Sequence, residues 1–216
     1  MNKPNQIIHL VRPALLVLLF SLALSTVRAQ PIPVELMLGN KYGAVNLAFS
    51  KSFGPESRLG FFHMNTVQFD YRDETGHSYI LQDLLYVETI KHLNVTAGVA
   101  YSKGGFAPTA GLQYLLAGKN VMFLLAPRVN LVEDLSYDVF GFLQFKPALT
   151  ENLKLFARAQ FLSVFDGESH IKSYQWLRLG LDTKGIQFGL ALNFDEYGPH
   201  PAVETSAGLF VRKEIF

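Results

Sequence analysis

The 216-residue chain contains no cysteine. That excludes a disulfide framework, a thiolate nucleophile and any cysteine-ligated metal. Charge is sparse and balanced: 17% of residues are charged, with 19 Lys+Arg against 18 Asp+Glu and a formal net charge of +1. Such a chain has no bulk electrostatic signature for nucleic acid. Beyond residue 30 no apolar run approaches the ~18 residues that suggest a spanning helix, and helical spacing fits nowhere there as well as a period of two. If this part of the chain lives in a membrane, a closed barrel is the remaining way to satisfy its backbone. Aromatic residues, in contrast, are plentiful, with 18 Phe, 9 Tyr and a single Trp.

Residues 1–29 read as an export signal, set apart from the fold. Lys3 and Arg12 form a basic start, Ala14 to Leu24 an apolar run, and Val27-Arg28-Ala29 a small-residue cleavage site ahead of Gln30. No cysteine follows, so the signal is not of the lipoprotein kind. An uncleaved anchor is the alternative, but the run falls short of the ~20 residues that span a bilayer. Removing the signal takes three bases and no acid, leaving residues 30–216 slightly acidic.

The stretch Ile186 to Phe194 alternates large apolar residues with small or polar ones. Similar alternation predicts about twelve strands, near 33–39, 43–52, 57–71, 78–90, 93–102, 106–117, 120–132, 136–147, 152–165, 170–183, 185–196 and 203–216. Turn signals separate them, among them Gly54-Pro55, Lys103-Gly104-Gly105 and Lys184-Gly185. Apolar positions switch from even (Val34, Leu36, Leu38) to odd (Val45, Leu47, Phe49), which demands a turn or a bulge near Asn40 to Gly43. A turn gives twelve strands and a bulge eleven. Bacterial single-chain barrels have even strand numbers, so the turn is the expectation, with ten strands as the fallback. The fold class is all-β, a single antiparallel up-and-down transmembrane barrel at 30–216.

An even count puts both termini on one side, the periplasmic one. Tyr71, Tyr79, Tyr101, Phe106, Tyr137, Phe165 and Tyr197 then collect at the opposite strand ends, as an aromatic girdle would. The terminal Phe216 resembles a barrel-assembly signal, although Leu209, Val211 and Ile215 carry the other parity. The pattern frays in three places. His63 and Asn65 sit on the apolar parity of their strand, so a bulge is expected to turn them inward and leave Phe62 and Met64 in lipid. Phe140 and Phe142 mix the eighth strand, and Pro108 and Pro127 each remove a ladder donor.

The segments Arg58-Leu59-Gly60-Phe61-Phe62, Gly105 to Tyr114, Pro127-Arg128-Val129-Asn130-Leu131 and Asn193 to Pro199 resemble those of small outer-membrane β-barrel proteins from the Bacteroidota. Cleavage before Gln30 is similar to exported proteins of that phylum. The resemblance implies an outer-membrane location and barrel form, and it brings no catalytic residue. A barrel in that setting has lipid, lipopolysaccharide and the barrel-assembly machinery as partners, and no cofactor is expected.

Taking the clean parity of the later strands, the lumen receives Arg128, Asn130, Lys154, Arg158, Lys172, Trp176, Arg178, Asp182, Asn193, Asp195, Arg212 and Glu214, along with Gln160, Tyr174 and Gln187. Buried charge must be paired or wetted. One reading is an ion-pair and amide network that fills the barrel. The other is a narrow water-filled channel whose arginines favour anions. Twelve strands lies between filled eight-stranded and open sixteen-stranded barrels. The rings of Tyr174 and Trp176 argue for partial filling, because they occupy lumen volume.

Two further classes are weighed. A lipid-modifying enzyme could use His170 and Ser173, but no nucleophile motif surrounds them. A soluble exported barrel binding an apolar ligand would turn the pattern inside out, with Ile186, Phe188, Leu190 and Leu192 as its core. Asp70, Asp73 and Glu74 could hold a divalent ion at lipid headgroups, though surface-loop charge is the better account of them. No spacing predicts a resident metal site.

Overall fold

A computed structural model describes residues 32–72, 76–133, 135–167, 169–200 and 202–215. The signal, Asp73, Glu74 and Phe216 lie outside the described residues. Twelve strands follow one another: β1 (Ile32–Gly39), β2 (Tyr42–Ser52), β3 (Leu59–Asp70), β4 (Ser78–Ile90), β5 (Leu93–Ser102), β6 (Gly105–Ala117), β7 (Val121–Asn130), β8 (Ser136–Phe145), β9 (Lys154–Asp166), β10 (Ser169–Thr183), β11 (Ile186–Tyr197) and β12 (Glu204–Ile215). Each pairs with its sequence neighbour, and β1 pairs antiparallel with β12, so the sheet closes. The near rim holds the start of β1 and the end of β12. The far rim holds the loops after the odd-numbered strands.

Local chemistry explains the hairpins. Lys184 and Gly185 adopt φ of 51° and 79° between β10 and β11. Positive φ at both central positions is the two-residue turn whose twist matches its strands. The parity switch after Leu38 is a turn at Asn40 and Lys41, not a bulge, and it makes the count even. Register shifts occur between Glu88 and Ile90 and between His170 and Lys172. Pro127 leaves a gap in the β6–β7 pairing between Gly111↔Arg128 and Tyr114↔Leu125, without changing the register. The missing N–H costs a bond, not the alignment.

The burial pattern decides which face meets what. Asn193 and Gln187 are 0% exposed, whereas Leu190 and Leu209 are 64% and 63% exposed. The outer face is mostly apolar, while most strand polar groups lie inside beside a cluster of buried aromatic and aliphatic side chains, the reverse of a barrel whose outside faces water. The soluble reading needed Leu190 in a core, and the fold puts it on the outer surface.

Two expectations are corrected. No register shift interrupts β3, so His63 and Asn65 face outward with Phe61 and Val67, and Phe62 and Met64 are buried inside. The ladder keeps its alternation because Phe62 and Met64 fill the lumen, and His63 finds a partner on the outer face. Tyr197 shares the inner parity of Asn193 and Asp195, so it stands over the lumen mouth. Tyr79 and Tyr101 do meet on the outer face, with ring centroids 5.5 Å apart.

Candidate functional site

The inner wall builds the candidate site in levels. Nearest the near rim, Lys146 reaches Glu214 at 2.8 Å and Asp182 at 3.2 Å, and Gln187 donates to Asp182 at 2.8 Å. Lys154 has the inner parity but is exposed at this rim, while Glu214 is half-buried.

Above it lies an arginine level. Arg178 donates through Nε to Glu35 at 2.8 Å and through Nη1 to Asn193 at 2.7 Å. Arg212 approaches the other Glu35 oxygen at 3.8 Å. Arg158 bonds Gln144 and Gln160, at 3.2 and 2.8 Å, and lies 3.9 Å from the Phe142 ring centroid. Arg178 lies over Trp176 and Phe210, and Arg212 over Phe156. All three arginines are buried. Guanidinium groups tolerate this because ring faces and amide oxygens replace water.

The middle is closed by contacts between opposite walls. Phe62 of β3 meets Phe140 of β8 at 6.3 Å, and Asn46 of β2 donates to Gln160 of β9 at 3.4 Å. Trp176 stacks on Tyr174 at 4.5 Å, and Gln160 donates to the Tyr174 hydroxyl at 3.1 Å. Phe140 and Phe142, ambiguous in the sequence, are both buried here. Asp195 accepts from Tyr42, from Gln68 at 3.3 Å and from Trp176 at 3.4 Å. On the other wall Arg128 bonds Gln82 and pairs with Asp138, which also accepts from Asn130 at 3.0 Å.

At the far rim the lumen opens into a cavity of about 470 Å³ lined by Ile80, Gln82, Arg128, Leu162, Lys172 and Tyr197, among others. Half-buried Lys172 donates to Ser78 on the opposite wall at 3.3 Å, and its ammonium lies 5.0 Å from the Tyr197 ring centroid. The cavity is a cup whose floor is the cross-wall packing below it.

Arg128, Asn130, Arg158, Trp176, Arg178, Asp182, Asn193, Asp195 and Arg212 are therefore buried inside the barrel. Sequence reasoning missed Glu35, Tyr42, Gln82 and Asp138, which complete their networks. Glu35 and Asp138 hold the polar parity of β1 and β8, so the alternation carried that signal. His170 does meet Ser173, with Nε2 2.8 Å from its hydroxyl, while Nδ1 lies 2.7 Å from the Gly198 carbonyl oxygen. Ser173 also donates to Ser163 at 3.0 Å and is only 5% exposed. The chain of bonds pins the β10 bulge to β9 and to the loop after β11. Among the described residues no cluster of three His, Asp or Glu groups could hold a metal ion.

The closed twelve-stranded sheet with its apolar exterior defines the class: the fold is that of outer-membrane β-barrels of the porin-like kind. No family model and no curated protein matches the chain. Among solved structures, it is similar to a KdgM porin in complex with disordered oligogalacturonate. That match has a TM-score of 0.50 and 9% identity, over 87% of this chain and all of the porin. A NanC porin matches at 0.47 and 12%, also over 87% and 100% of the two chains. LpxR from Salmonella typhimurium matches at 0.41 and 10%, over 86% and 100%.

Proposed function

We propose that this chain is a sealed structural barrel of a Gram-negative outer membrane, with its near rim in the periplasm and its cup facing outward. The observation that carries the reading is the meeting of opposite walls at Phe62–Phe140 and Asn46–Gln160. A channel needs a continuous wet path, and these contacts stand across it. The buried arginines are engaged by Glu35, Asp138, amides and rings, so they favour filling over anion passage. Lipid, lipopolysaccharide and the assembly machinery are its expected surroundings, and the segments similar to Bacteroidota barrels support that setting. The role is non-enzymatic, since the Ser173 hydroxyl is covered and committed to its neighbours.

Single-channel recording tests this. Protein that migrates as a folded, heat-modifiable barrel gives no conductance above the bilayer leak, and Arg158→Ala and Arg178→Ala remain closed. Steady conductance steps from folded wild type would overturn the sealed reading. Phospholipid turnover that disappears in His170→Ala would overturn the non-enzymatic one.

A further inference from the structure

We propose that the outer face centred on His63 and Asp83 is a self-association surface, and that its occupant is a second copy of this chain. The inference rests on the reading that the barrel spans a membrane. His63 bonds Asp83 through Nδ1 at 2.7 Å. Both lie on the outward parity, His63 between Phe61 and Val67 on β3 and Asp83 between Leu81 and Leu85 on β4. Their side chains are 19% and 38% exposed. The pair sits at the centre of apolar outward rows that end in Leu59 and Phe69 on β3, and in Tyr79 and Val87 on β4.

Neither member is fully satisfied. The bond through Nδ1 leaves Nε2 of His63 and the second oxygen of Asp83 without a partner among the described residues. Asn65 also faces outward, paired across its strand neighbours with Leu47 and Leu81. Its amide likewise has no partner among the described residues. Hydrocarbon supplies no donor or acceptor, so a half-satisfied polar cluster at that depth calls for a protein surface over it.

The chemistry selects the same surface as the partner. The cluster carries donors and acceptors together: an imidazole nitrogen, a carboxylate oxygen and an amide. A two-fold contact sets such a patch against itself, with each donor meeting the other copy's acceptor. The relief fits as well. Phe49 flanks the imidazole from β2 and Phe61 from the preceding outward position of β3, with centroids 5.3 and 6.3 Å away. On the other side Asp83 is followed across the sheet by Val99 and Pro108, with Ala97 and Ala110 beside them. Under a two-fold axis the aromatic ridge of one barrel lies over the shallow β5–β6 surface of the other.

The cysteine-free chain makes the test direct. Ala97→Cys or Val99→Cys places one thiol on the shallow surface, and Leu190→Cys places one on β11 across the barrel. Each variant is reconstituted in lipid vesicles at several dilutions and treated with a bismaleimide. Either β5 thiol is expected to give a species of twice the chain mass, and Leu190→Cys none. Adding His63→Leu with Asp83→Leu is expected to abolish that species while heat-modifiable migration persists. Equal crosslinking at Leu190→Cys, none from both β5 thiols, or persistence in the double variant would overturn the proposal. So would crosslinking in cells that yields only a species of another mass. Partition into the bilayer is scored separately. A chain that stays out of the lipid fails the membrane reading, whereas a folded, inserted monomer fails this proposal alone.

Discussion

Glu35 is where the interior is most sharply testable. Its carboxylate is 3% exposed and accepts from Arg178, with Arg212 beside it. Glu35→Gln keeps the shape and removes the charge. Arg178 retains Asn193, the Leu177 carbonyl and its two ring faces, so those contributions cancel in the comparison. What is lost is a charge-assisted hydrogen bond, about 1.5–3 kcal/mol, and the compensation of a buried guanidinium. Removing one partner of a buried pair costs about 3–5 kcal/mol in total. The expected destabilisation lies in that range. Glu35→Leu combined with Arg178→Met removes both charges and is expected to cost less than Glu35→Leu alone. The exposed pair of Lys41 and Glu204, each with a side chain 45% exposed, is the control, because Lys41→Ala is expected to cost about 1 kcal/mol or less. Equilibrium urea unfolding from lipid vesicles, followed by Trp176 fluorescence, reads all four variants. A Glu35→Gln loss no larger than that of Lys41→Ala would mean that water reaches the arginine level, and the dry-lumen reasoning would fail.

The single Trp176 is 2% exposed and stacked on Tyr174 inside the barrel. Its emission is expected to be blue-shifted and shielded from both acrylamide and brominated lipids, and strong quenching by brominated lipid would reverse the assignment of the two faces. Phe62→Ala removes half of the central cross-wall contact and is expected to cost about 3–5 kcal/mol in the same urea assay. Combined with Phe140→Ala it is expected to admit ions, so a bilayer current indistinguishable from wild type would place the seal elsewhere. Gly185 has a φ of 79° with no atom near its missing side chain. Gly185→Val is therefore expected to cost about 1–2 kcal/mol through backbone strain alone, and an unchanged unfolding midpoint would show that the hairpin relaxes.

Strand number and the two faces were legible because a period of two is local: each strand announces its own alternation. The reading faltered where a residue's surroundings come from distant strands. Phe140 looked misplaced on an inner parity because a lumen was expected to be polar, yet Phe62 arrives from the opposite wall to pack against it. His63 looked misplaced outside because its partner Asp83 belongs to another strand. The basic side of the inner network was visible in Arg128, Arg158, Arg178 and Arg212. Its partners were less so, since Glu35 and Asp138 lie in strands read mainly for their apolar positions. Tyr197 was assigned by its place at a strand end, whereas its parity with Asp195 puts it over the cup.

The seam between β1 and β12 has a consequence for biogenesis. Arg178 and Arg212 belong to strands made late, and the carboxylate that neutralises them comes from the first strand of the barrel. Without the seam those guanidinium groups lack the Glu35 carboxylate, and both edges of the sheet are unpaired. Closure resolves both defects in one event. The interior thereby favours the completed barrel over an open one: without the β1–β12 pairing the two arginines lack their carboxylate and both sheet edges lack a partner strand.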